Sequence, residues 1–369
     1  MTALLPPMPA LAPGCRVLIV SGSVGAGHDG AARELAERLR AHGVAVDVRD
    51  FLQATPRWLA VLLREGYSTS VDHLPSAFEF LFTRMERLGR IWRIATAICT
   101  RADRAVAGWL AESDYHAVVS TYPLASQSLG RLREQGRCPF PLVTYLTDPA
   151  AHRSWIHPAV DMHLTVTGAT AEQGRRDYGV PMVAAGPLVP ERFTAPIPAA
   201  QVERLRRELN LPADRRVALI VAGSLGIGDL LPTVRDVADG GLVPVVLCGR
   251  SARLREQVTA VPGAVALGWR SDVHVLMRVV DVLVHNAGGL SFTEALVAGL
   301  PAVTYRPIPG HGRANATVLE NADLAPWARS RTELWAALDR QLRRGRRPAR
   351  LGDPADDVLA LLPALRVAA

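Results

Sequence analysis

The 369-residue chain contains no lysine, so all 42 of its basic residues are arginine. That excludes lysine Schiff-base chemistry and the phosphate-binding lysine of a P-loop. Cysteine is sparse too: Cys15, Cys99, Cys138 and Cys248 lie far apart with no C-x-x-C pair, and they read as reduced core thiols. No apolar run approaches the roughly 20 residues of a membrane-spanning helix. Residues 1–14 carry four prolines and no basic segment, so they do not read as a signal peptide. These absences predict a cytoplasmic protein. His152, His157 and His163 lack a cysteine or carboxylate partner set at zinc spacing, and Asp356-Asp357 falls in the tail rather than after a strand. No metal cofactor is therefore expected.

What is present is apolar, basic and finely alternating. Hydrophobic residues make up 49% of the chain, enough to bury the cores of two domains. The net charge of +7 favours an anionic partner. Scattered arginines and the lack of a base-reading motif argue against nucleic acid, leaving a membrane surface or a phosphorylated substrate. Buried-type strands at 15–21, 44–48, 117–120, 142–146, 163–166 and 182–185 alternate with helical stretches. A second alternation follows at 217–222, 243–248, 264–267, 282–284 and 302–305. The pattern predicts an α/β chain of two doubly wound, Rossmann-like domains facing across a cleft. The first spans 15–190 after a tail at 1–14, a proline-rich linker covers 191–200, and the second domain occupies 201–345. Open α/β sheets bind ligands beyond the carboxyl ends of their strands, so the glycine loops there should open into the cleft.

Three of those loops carry chemistry. The strand at 282–284 stops at Asn286, Ala287, Gly288 and Gly289, a tight turn that exposes backbone N–H groups. Leu290 and Ser291 then open a helix, with Ser291 expected as its cap and Glu294 at capping-box spacing. Amides at a helix start form an anion site that fits a diphosphate, although Glu294 is equally readable as a mere cap. The next strand leads into a polar, glycine-rich loop from Arg306 to Asn315 that includes His311. In the first half, Gly25-Ala26-Gly27-His28 follows strand 15–21. Taken alone it permits a dinucleotide site, with Asp47 or Asp50 on the ribose. Thr147-Asp148-Pro149 ends another strand, with Trp155 and His157 soon after.

This order of parts resembles the GT-B glycosyltransferases. More narrowly, it is similar to the monogalactosyldiacylglycerol synthase and processive diacylglycerol glucosyltransferase group, which is related to MurG. The resemblance is strongest at 17–36 and 281–315. It implies that Asn286 to Ser291 hold the UDP diphosphate, that Glu294 holds the ribose hydroxyls, and that the loop with His311 and Asn315 reaches the sugar. It also implies a base pocket framed by Gly268, Trp269 and Val273, an acceptor site at Gly25, Gly27, His28, Trp155 and His157, and a tail helix at 346–369 that crosses back. His28 is then the candidate base, with Asp148 as its partner; capping or packing at the helix start is the rival reading of each. A second glycine loop, Gly223-Ser224-Leu225-Gly226, would approach the diphosphate from its other side, and Arg250 and Arg306 are cations that could neutralise the leaving group. Where the family reads Gly-Gln-Glu, this chain reads Gly310-His311-Gly312, which leaves the hexose open.

An insertion at 56–109 completes the reading. Phe78, Leu81, Phe82, Met85, Leu88, Trp92 and Ala95 recur at helical spacing, Arg84, Arg87, Arg90 and Arg93 follow the other side, and Trp58, Leu59, Leu62 and Leu63 add a second apolar patch. Such a stripe either lies in an anionic headgroup layer or packs on the core. The expectation is a metal-independent, inverting transferase that moves a hexose from a UDP-sugar to a lipid hydroxyl, diacylglycerol first, at the inner face of the cell membrane. A polyprenyl-linked or natural-product acceptor, and a non-catalytic binder of UDP-sugar and anionic lipid, remain alternatives.

Overall fold

The computed structural model describes residues 12–64, 75–86, 89–221, 230–349 and 351–363. Short Val/Ile/Leu runs, buried on both faces, form two six-stranded parallel sheets, as expected where crossover helices cover both sides. The first sheet contains β1 (Arg16–Ser21), β2 (Ala45–Asp50), β3 (Ala117–Ser120), β4 (Leu142–Leu146), β5 (Met162–Thr165) and β6 (Met182–Ala184), ordered β2-β1-β3-β4-β5-β6. The second contains β7 (Val217–Val221), β8 (Val243–Leu247), β9 (Val265–Leu267), β10 (Val282–His285), β11 (Ala302–Tyr305) and β12 (Trp327–Ala328), ordered β12-β11-β10-β7-β8-β9.

In each sheet the order reverses once, between β1 and β3 in the first and between β7 and β10 in the second. Connections leave such a switch point toward opposite faces and open a crevice there. The GAGH segment follows β1 and the Asn-Ala-Gly-Gly turn follows β10, so topology alone puts both motifs at crevices.

The chain ties the two halves together at its hinge. The helix Pro354–Leu359 places Ala355, Val358 and Leu359 in the first domain's core beside Leu35, Leu39 and Tyr145. Asp353 caps that helix and pairs with Arg38 at 2.8 Å. The span 191–200 is no free spacer: Glu191–Phe193 forms a turn of 3-10 helix, a further helix starts at Ala199, and Val189 and Phe193 are buried in the second domain's core. Its apolar side chains anchor what its prolines stiffen.

The insertion folds into helices at 57–64, Pro75–Met85 and Arg90–Cys99. Leu59 is buried, while Trp58, Leu62 and Phe80 are more than half exposed. Of the amphipathic stripe, Arg87 and Leu88 lie outside the described residues, as do the side chains of Phe78, Leu81, Met85, Arg90 and Ala95. Among the described residues no helix is long and apolar enough to cross a membrane.

Candidate active site

A cavity of about 930 Å³ lies between the two crevices, with walls from both domains. On the second-domain wall, His285 ends β10 fully buried. Its Nδ1 accepts the Ala287 N–H at 3.1 Å, so the ring hydrogen sits on Nε2 and points to the Thr304 hydroxyl at 3.2 Å. Burial pushes this histidine down to about 3, keeping it neutral. Ala287 takes the left-handed conformation, φ 69°, which costs a non-glycine residue strain. The Asn315 amide holds it there by donating to the Ala287 carbonyl at 3.0 Å.

The turn delivers the helix Gly289–Val297 with Gly288 as its N-cap and no side-chain cap. Ser291 is therefore not the cap the sequence suggested; it sits inside the first turn and lines the cavity. The helix starts earlier because His285, two residues before Ala287, and Asn315, 28 residues after it, fix the turn before it. Its first-turn amides have no intrahelical acceptor, and Gly288, Gly289, Leu290 and Ser291 all face the cavity, as an anion site requires. Glu294 lines the same wall, and burial pushes its carboxyl up to about 7, with Arg192 opposing. A Cβ on Gly289 would lie 2.5 Å from the Thr147 carbonyl of the other domain, so only glycine permits this approach.

On the first-domain wall, His28 lies in the first turn of the helix Ala26–Ala41. Its Nδ1 is 2.9 Å from the Thr121 carbonyl and 3.1 Å from the Thr147 hydroxyl. A carbonyl only accepts, so Nδ1 carries the hydrogen and Nε2 keeps its lone pair. Burial lowers the pKa of His28, with Asp148 and the Thr121 carbonyl opposing. Asp148 accepts the Trp155 indole N–H at 3.0 Å and lies 3.6 Å from His152 Nε2. Burial alone would raise its carboxyl, but His152, His311 and His28 outweigh that and hold it below the usual carboxylate range. The arrangement can take a proton at His28 Nε2 and stabilise the resulting imidazolium with a fixed negative charge.

Other expected site residues divide. Gly25, Gly27, Gly268, Trp269, Val273, Asn286 and His311 line the cavity. Burial pushes His311 down to about 4. Trp269 is 59% exposed, with the Arg250 guanidinium 5.1 Å above its ring. Trp155 and His157 are not among the residues lining the cavity, although the Trp155 ring lies 5.7 Å from that of His28. Trp155 is fully buried because its indole N–H finds Asp148, while His157 packs on Gly130 and accepts the Ala159 N–H at 3.2 Å. Asn315 is not among the lining residues either. Wholly buried, it accepts the Ala150 N–H at 2.9 Å and so clamps the first domain to the Asn-Ala-Gly-Gly turn of the second. Arg306 pairs with Asp236 beside a separate cavity of about 140 Å³. Gly223, Ser224, Leu225 and Gly226 lie outside the described residues.

Sequence reasoning missed Arg33, Arg192, Tyr122 and Leu124, which line the cavity. Only Arg192, in the Pro-Glu-Arg-Phe step beside the hinge, had a readable signal. Among the described residues no group of three or more His, Cys, Asp or Glu is placed to hold a metal ion.

Residues 28–182 match the Monogalactosyldiacylglycerol (MGDG) synthase family. The processive diacylglycerol beta-glucosyltransferase of Bacillus subtilis is 28% identical over 222 residues, 56% of each chain. The enzyme of the same name from Bacillus cereus is 24% identical over 89% of this chain and 86% of its own. In fold, MurG of Acinetobacter baumannii superposes with a TM-score of 0.58 at 16% identity, over 95% of this chain and 99% of that one. Two parallel sheets facing across one cleft give the chain the GT-B fold it shares with MurG, and its sequence is similar to the MGDG synthases and processive diacylglycerol glucosyltransferases.

Proposed function

We propose that the chain transfers a hexose from a UDP-sugar to a lipid hydroxyl, with diacylglycerol as acceptor and with inversion at the anomeric carbon. One observation carries the reading: the two helix starts meet. A Cβ built on Gly27 would lie 3.8 Å from the Cβ of Leu290, so the His28 turn and the uncapped amides of Gly289–Val297 come together at the wall of one cavity. An alcohol between them has a base on one side and an anion site on the other.

The reaction is a single displacement. His28 Nε2 takes the acceptor proton while that oxygen bonds to the anomeric carbon, and the carbon–phosphate oxygen bond breaks from the opposite face. The electron pair leaves on UDP, whose diphosphate rests on the amides of Gly288 to Ser291 and whose pentose hydroxyls donate to Glu294. Arg192, on the same wall, adds positive charge. His311 stands where the sugar would lie and, being neutral, reads hydroxyls as a hydrogen-bonding group rather than as a cation. The acceptor chains would run along Val24, Leu62, Leu63 and Leu124, apolar walls at the cavity's first-domain side. The more than half-exposed Trp58, Leu62 and Phe80, with Arg57, Arg64 and Arg84 nearby in the chain, favour docking on an anionic membrane surface.

The test is UDP release from UDP-glucose and UDP-galactose with diacylglycerol in anionic vesicles. The reading expects one donor to release UDP in step with glycolipid formation. Release that ignores diacylglycerol contradicts the acceptor assignment.

A further inference from the structure

We propose that Glu86, just past the end of the insertion helix Pro75–Met85, is a positioning residue that fixes Asp148 and, through it, the base. The inference rests on His28 being that base. Glu86 takes hold of the first domain at three points. Its carboxylate accepts the Tyr178 hydroxyl at 2.6 Å and the Arg153 N–H at 3.2 Å, and its carbonyl accepts Arg153 Nε at 3.0 Å. The Arg153 guanidinium lies 5.2 Å above the Tyr178 ring and closes the grip.

The segment so gripped carries His152. Ser154 Oγ is 2.6 Å from His152 Nδ1, and Glu86 Oε1 lies 3.9 Å from the same nitrogen. With Nδ1 accepting the Ser154 hydroxyl, the ring hydrogen sits on Nε2 and faces Asp148 Oδ2 at 3.6 Å. Phe82, one turn before Glu86, stands edge-on to His152 with ring centres 5.3 Å apart. Between β4 and β5 the chain has a single turn of 3-10 helix, Arg153–Trp155, so few backbone bonds of its own set the course of this loop. A carboxylate held within about half an ångström of its working place needs an outside brace, and the insertion supplies it.

The same helix turns Phe80 outward, 57% exposed, while Phe82 on it and Glu86 just after it turn inward. The seat of the insertion on the body of the protein and the placement of Asp148 are thereby one structural variable.

The experiment compares Glu86→Ala with Glu86→Gln in the full chain. The readouts are kcat and KM with UDP-glucose or UDP-galactose and diacylglycerol vesicles, UDP affinity by calorimetry, melting temperature, and the imidazole NMR signals of His28 and His152. Glu86→Ala should lower kcat about tenfold, the effect of a catalytic group displaced by a fraction of an ångström. KM for the donor and UDP affinity should stay within twofold, and both imidazole signals should move. Glu86→Gln keeps one oxygen to accept the Arg153 N–H, its amide nitrogen can donate to the Tyr178 hydroxyl oxygen, and it should restore most of kcat and both signals. Unmoved imidazole signals with kcat within twofold overturn the proposal, as do a glutamine variant no better than alanine and a kcat loss that only tracks melting temperature. The imidazole readout decides the matter even for a chain that turns over neither donor, so failure of the catalytic reading stays separate.

Discussion

The two walls of the cleft are built in opposite ways. On the donor wall, β10, the turn and the helix Gly289–Val297 follow one another without a break, and what they offer a ligand is mostly main-chain N–H. On the acceptor wall, His28, Thr121, Asp148 and His152 come from three separate crossings of the first sheet and act through side chains or one carbonyl. A backbone site survives most side-chain exchanges because local conformation makes it. A side-chain site is only as good as the packing that gathers it. Single substitutions should therefore cut deepest on the acceptor wall.

His28→Ala gives the comparison its hardest test. Turnover should fall at least ~100-fold, the lower range of general-base contributions, while UDP affinity stays intact. Turnover within a few-fold of native would move the base elsewhere and erase the contrast between the walls.

Asn315 sharpens it, since one buried amide serves both walls. Asn315→Ala leaves the Ala150 N–H and Ala287 carbonyl unpartnered, about 1–3 kcal/mol each when buried, and lets the left-handed turn relax. Calorimetry should find UDP bound about tenfold more weakly, with a lower melting temperature. Asn315→Asp keeps an acceptor for the Ala150 N–H but cannot donate to the Ala287 carbonyl, so it should leave UDP binding weak. Native-like UDP binding by either variant would mean that the turn holds itself.

The smallest effect is protonic. Burial raises the Glu294 carboxyl from its ordinary value to about 7, so near that pH the empty site is partly protonated. Pentose hydroxyls donating to it favour the ionised form. Binding of UDP-glucose at pH 7 should then release roughly half a proton, and affinity should rise with pH up to about 7 and level off above it. Calorimetry in two buffers of different ionisation enthalpy measures the release, and Glu294→Gln should abolish it. On the opposite wall, burial lowers His28, so the acid limb of kcat/KM, which reports the free protein, should lie below 6.5.

How much of this the letters carried follows the same divide. The strand, glycine turn and helix around 286–294 were readable because they are contiguous, and His28 was readable because its glycines precede it directly. Ser291 is not the cap because the helix begins two residues earlier, after a turn held in part by Asn315, 28 residues from Ala287. Trp155 and His157 sit in a legible motif, but which of its side chains turn inward depends on Asp148 and Gly130, two contacts no local pattern encodes. Periodicity in the insertion could not tell a core face from a free one, and the structure buries Leu59 while exposing Leu62. β12, two residues long, is too short for any alternation to show.

The central claim, a nucleotide diphosphate on the amides of 288–291 with its pentose at Glu294, is tested most directly by titrating UDP into three chains in a calorimeter. The native chain should give a clear binding heat, His28→Ala the same affinity, and Glu294→Ala at least ~10-fold weaker binding, as befits lost hydrogen bonds to a charged group. No heat with the native chain, or an undiminished one with Glu294→Ala, would contradict it.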